Sequence, residues 1–186
     1  PRCQCRRRRR AVRTARALVR ANSMQLQIDD GFFDGFDQVL FYGAGMGGYA
    51  ACAFAVAAPG SRVLALNPRA TLSPAIAGWD GRDRAARRLD FTSRYGYAPD
   101  MLEGASRVAL IYDPTLREDA MHSALFRAPY ITRLPARHIG ERAESSLLGM
   151  EILSGLIEAA MAGTLDLAHF ATAWRARPTR RRSSWA

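Results

Sequence analysis

Val39-Leu40-Phe41-Tyr42-Gly43-Ala44-Gly45-Met46-Gly47-Gly48-Tyr49-Ala50-Ala51 is the stretch on which the fold turns. Four apolar residues in a row read as a buried strand, and four of the next six positions are glycine. The small-residue run that follows has the composition of a tightly packed helix, so the segment reads as a strand that turns sharply through glycines into a helix over about 47–58. Pro59-Gly60 stops that helix.

Working outward, the same alternation repeats. Arg62-Val63-Leu64-Ala65-Leu66 makes a second strand closed by Asn67-Pro68, Arg107 to Asp113 a third, and Tyr130-Ile131-Thr132-Arg133-Leu134 a fourth. Helical patterns fall at about 82–89, 117–127, 142–162 (a helix or a helix pair) and 165–174. Strands alternating with helices predict an α/β fold, three-layered with a mostly parallel sheet. The predicted organisation is an arginine-rich arm over 1–25, an α/β domain over 26–170 with a cap-like insertion at about 72–106, and an arginine-rich tail over 171–186.

Charge follows the same division. All 27 basic residues are arginine; nine lie in residues 1–20 and five in 175–182, where no acid occurs. The remaining 13 arginines face 17 Asp and Glu, so the net charge of +10 describes two basic ends around a mildly acidic domain. Non-specific nucleic-acid binding is therefore expected only of the ends. Such ends are also what a shifted reading frame or an unfinished fragment of a GC-rich gene produces. No stretch approaches the roughly 18 apolar residues of a membrane span, and no apolar core follows the first arginines, so a soluble, cytoplasmic chain is expected. Three cysteines suggest no disulfide framework. Cys3-Gln-Cys5 lacks a second ligand pair for zinc, and no metal is expected. Cys52, between alanines, is read as a small buried residue.

The glycine turn admits two chemistries. Gly43, Gly45 and Gly48 spell G-x-G-x-x-G between strand and helix, the dinucleotide fingerprint, with a pyrophosphate resting on the helix N-terminus. The acid expected at the end of the next strand is replaced by Asn67-Pro68-Arg69. Asn67 with Arg69 would suit a 2′-phosphate, so this alternative is an NADP- or FAD-dependent oxidoreductase.

The other reading rests on Gly43, Met46, Gly47, Gly48, Tyr49, Ala50 and Ala51, which resemble the nucleophile elbow of the α/β-hydrolase family in its form G-x-S-M-G-G-Y-A-A. Gly45 stands where that family carries its nucleophilic serine. Order along the chain adds to the resemblance: a strand with a Pro-containing turn (64–71), an insertion, a strand ending in Asp113, and a late loop with His138 ahead of Gly140. The resemblance spans about residues 36–162 and implies the C-terminal half of such a hydrolase, with Asp113 and His138 as the remaining catalytic positions. Gly43, Ala44, Gly45, Met46, Gly47, Gly48 and Asn67 are then the binding positions. An elbow exists to present a hydroxyl to a base, and glycine has none, so hydrolysis is not expected; a small-molecule binding or accessory role is. No cofactor is needed in this reading. His122, three residues after Asp119, is expected as a solvated surface pair.

The segments DGFFDGFDQVLFYGAG and RLDFTSRYGYAPDM also resemble chains labelled phosphoadenosine-phosphosulfate reductase. That family's S-G-G-x-D-S loop and reducing C-terminal cysteine have no counterpart here. Finally, no strand pattern precedes residue 26, so strand 38–42 is expected to be a naked sheet edge. It invites self-association or a partner, or marks a piece of a longer protein.

Overall fold

The structure, a computed structural model, describes residues 32–83, 85–88, 90–92 and 94–176. The arm over 1–25 with Cys3 and Cys5, and the part of the tail beyond Ala176, lie outside the described residues.

Each of the four apolar runs becomes a strand: β1 (Leu40–Ala44), β2 (Arg62–Leu66), β3 (Arg107–Tyr112) and β4 (Ile131–Pro135). All pair in parallel in the order β1-β2-β3-β4, with Leu40 opposite Arg62, Arg62 opposite Arg107 and Val108 opposite Ile131. Parallel neighbours need crossovers, and helices supply them. Alternate residues face opposite sides. Phe41, Val63, Ala65, Val108 and Leu110 meet Ala51, Cys52, Phe54, Leu102 and Phe126 on one face. On the other, Leu40, Tyr42, Leu64, Leu66, Ala109, Ile111 and Leu134 meet Leu147, Leu153, Leu156 and Phe170. The result is a three-layer α/β fold. Cys52 is fully buried, and burial pushes its thiol pKa up, which suits packing and not reactivity.

The helices depart from expectation in detail. The first, α1, covers Met46–Ala53 and ends in a short 3-10 turn at Ala55–Ala57. The insertion holds one four-residue helix, α2 (Pro74–Ala77), and 3-10 turns at Ala86–Arg88 and Ala98–Leu102. Among the described residues of the expected helix over 82–89, the regular structure is the 3-10 turn at Ala86–Arg88, while Arg82 and Asp83 pair with Asp119 and Arg69. Helix α3 (Arg117–Leu125) follows β3. The apolar run at 142–162 is two helices, α4 (Ala143–Gly149) and α5 (Leu153–Ala162), joined through Glu151 at a positive φ of 58°. Gly163, at φ 75°, caps α5. The last helix, α6 (Leu167–Ala176), runs six residues into the segment read as the tail. No single helix among the described residues is long and apolar enough to cross a membrane.

Among the described residues β1 pairs with β2 alone. Its Leu40 and Phe41 are wholly buried between the two layers.

Candidate functional site

Where the strands end, their exit residues step across the sheet. Gly45 N–H donates to Leu66 O at 2.8 Å, Asn67 N–H to Ile111 O at 2.7 Å, and Ala136 N–H to Tyr112 O at 2.8 Å. This carboxyl edge is where parallel α/β sheets bind ligands. It collects Gly45, Asn67, Asp113 and the loop 136–140.

The turn from β1 into α1 is made by close backbone contact. A Cβ on Gly43 would stand 2.2 Å from the Gly47 carbonyl oxygen, and one on Gly48 3.2 Å from the Leu66 oxygen and Pro68 Cα. Gly43 is therefore glycine because the chain has no room for a side chain there, and at Gly48 a side chain would crowd its neighbours. Gly45 sits at φ 56°, ψ −118°, a conformation that strains any residue with a side chain. A Cβ built on it meets nothing within 4 Å. A sharp, strained turn that aims one residue into open space above the sheet is what a nucleophile elbow requires. The backbone at Gly45 makes such a turn and carries no side chain there. Gly45 caps α1 with no side-chain hydrogen bond, leaving first-turn N–H groups for a ligand.

Asp113 lies one residue past β3 and is 1% exposed. Its Oδ1 accepts from Thr115 N–H (2.9 Å), Thr115 Oγ1 (2.6 Å) and His138 N–H (3.1 Å), and its Oδ2 accepts from Gly140 N–H (2.9 Å). Burial pushes its pKa up, but the hydrogen bonds from Thr115, Gly140 and His138 outweigh it and hold the carboxyl below its ordinary range. His138 thus meets Asp113 through its backbone; its side chain is exposed and its φ is 63°. The structure brings the two expected catalytic residues together, but as a loop anchor and the loop it anchors. The Asp-to-imidazole hydrogen bond of a triad is not made.

Asn67, at φ 44° and 2% exposed, donates from Nδ2 to Gly140 O at 2.9 Å, clamping the same loop, and its Oδ1 has no hydrogen-bond partner. Arg69 is not free for a 2′-phosphate: it is 7% exposed and its guanidinium bonds Asp83 at 3.0 Å and the Asn67 carbonyl oxygen at 3.1 Å.

A second cluster, unforeseen from sequence, joins the insertion to the sheet edge. Arg82 donates to Asp80 (2.9 Å) and Asp119 (2.7 Å), and Arg69 lies 3.7 Å from Asp80 and 3.6 Å from Asp119. His122, fully buried, pairs through Nε2 with Asp80 at 2.9 Å, while Ala70 N–H donates to its Nδ1 at 3.2 Å. A backbone donor on Nδ1 fixes the neutral, Nε2-protonated tautomer. Burial pushes the His122 pKa down to about 4, against the pull of Asp80. Asp119, one of whose oxygens has no partner, is pushed up by burial despite Arg82 and Arg69. The expected solvated Asp119–His122 pair is therefore wrong: both are buried and the imidazole bonds Asp80, 42 residues upstream. The readable signal was on α3, where Asp119, His122 and Ser123 share a helical face with buried Phe126.

Among the described residues no group of three or more His, Cys, Asp or Glu is placed to hold a metal ion. Compared with protein-family models, curated proteins and solved structures, the chain has no match.

Proposed function

We propose that the chain is an α/β-hydrolase-like protein that has given up its nucleophile and binds a small carbonyl- or carboxylate-bearing ligand above Gly45 without hydrolysing it. The observation that carries this reading is the strained turn at Gly45, kept in full beside open space. The sheet order adds support: sequential parallel strands whose first turns into the elbow helix suit the C-terminal half of that fold. The free N–H groups of the α1 first turn supply donors for a ligand oxygen, favoured by the helix dipole.

Butyrate titration followed by the backbone amide resonances of residues 45–48 tests the binding. Saturable shifts are expected in the wild-type chain and none in Gly45→Val, whose side chain fills the space. Equal shifts in both, or no saturation, would sink the reading. Gly45→Ser tests the chemistry. With Asp113 saturated by other donors, it is expected to hydrolyse a generic acyl ester no faster than Gly45→Ala. A rate about 100-fold higher, the order that general-base assistance supplies, would show that a working base reaches the new hydroxyl.

A further inference from the structure

We propose that the amino edge of the sheet, opposite the edge that holds Gly45, carries a second binding site: a half-open cavity that takes a short-chain phosphate monoester with its phosphate on Arg107. The cavity measures about 280 Å³ and is made by small residues. On the sheet face toward α5, Ala109 stands in register between Leu64 and Thr132, so the floor is hollowed where a larger side chain is missing. Ala160 and Gly163, at the end of α5, give the roof no bulk to fill that hollow. Ser106, Arg107 and Thr132 supply the polar wall. The volume equals that of about nine waters at roughly 30 Å³ each, room for a phosphate and a chain of about three carbons.

Charge selects the ligand. Arg107 pairs in register with Arg62, so two arginine side chains leave adjacent parallel strands on one face. Like charges side by side on a sheet cost stability unless a counter-charge joins them. Arg62 is half-buried and donates through Nη1 to Met161 O in the last turn of α5; its guanidinium lies against Gly163, where an added Cβ would stand 3.0 Å from Nε. That helix end offsets about half a charge, so the pair keeps an excess of more than one. Arg107 is exposed and, among the described residues, has no acid partner, and no carboxylate lines the cavity. A phosphate dianion accepts two parallel N–H bonds from the Arg107 guanidinium. The Thr132 hydroxyl, which makes no hydrogen bond among the described residues, is free to donate to a third oxygen. The carbons of the ester then lie against Ala109, Ala160 and Leu165. The site stands whatever binds at Gly45.

Titration of the full chain with inorganic phosphate and with propyl phosphate, at neutral pH and constant ionic strength, tests the site through backbone amide resonances. Saturable shifts are expected at residues 106–109, 132 and 160–165; any response at 45–48 belongs to the other edge and is unchanged by Arg107→Gln. Propyl phosphate is expected to bind about 10-fold tighter than inorganic phosphate, the gain from burying its methylenes. Arg107→Gln alters an exposed side chain and is expected to weaken both ligands about 10-fold, the order that a hydrogen bond to a charged group supplies. The proposal is overturned if the shifts fail to saturate or are confined to the arginine-rich ends, or if Arg107→Gln binds as the wild type does. Propyl phosphate binding no tighter than inorganic phosphate would overturn it equally, since the cavity would then hold no part of the ligand.

Discussion

Glycines 43 and 45 answer to different constraints, and substitution separates them. Gly43→Ala drives a Cβ to 2.2 Å from the Gly47 carbonyl oxygen, an overlap only backbone movement relieves, with an expected cost of about 3 kcal/mol. Gly45→Ala meets open space and suffers backbone strain alone, about 1–2 kcal/mol. Urea unfolding should rank wild type above Gly45→Ala above Gly43→Ala, and the reverse order of the two variants would contradict the geometry. The tight turn was legible in the spacing of its glycines, because close backbone approach leaves that residue little choice. Which glycine was needed for space and which for φ was not, since both needs select the same residue.

At the scale of elements, one carboxylate organises the β4–α4 connection. Asp113→Ala strips acceptors from the N–H groups of Thr115, His138 and Gly140 at once and should cost about 3 kcal/mol, with faster amide exchange concentrated at residues 138–140. Asp113→Asn keeps one acceptor oxygen and should cost less. Equal effects of the two would mean that the carboxylate does not hold the loop. The strands were legible because short apolar runs bounded by turn residues have few other uses. The insertion was not: Arg82 and Asp83 look like part of a solvated helix until Arg69, Asp119 and His122 arrive from distant parts of the chain to pair with them and with buried Asp80. Local pattern carries no record of Asp80's partner His122, 42 residues away.

For the whole molecule these groups set an acid limb. Between pH 6.5 and about 4 the unfolded chain binds a proton on His122 that the folded chain refuses, so stability falls as pH falls through that window, by up to roughly 3 kcal/mol. Asp119, raised in the folded state, opposes this in the lower part of the window. Asp80 and Asp113, both lowered, add stability that is present above about 3.8 and lost below it. Urea unfolding across this range should show a plateau above pH 6.5, a decline toward 4 and a steeper one beyond, and His122→Gln should flatten the middle section. A flat wild-type curve would rule out a buried neutral His122. A loss of this size leaves an ordinary domain folded.

The turn at residue 45 bears on the direction of change open to this chain. A side chain in that conformation is held against its own preference, and the rest of the fold must supply the restraint. Glycine removes that load while the close contacts of Gly43 and Gly48 stay in place, so the chain stands on the relaxed side of a trade between stability and chemistry. Placing a hydroxyl there is uphill: a side chain would have to be held in a strained conformation, and Asp113 at the same sheet edge already spends its oxygens on Thr115, His138 and Gly140.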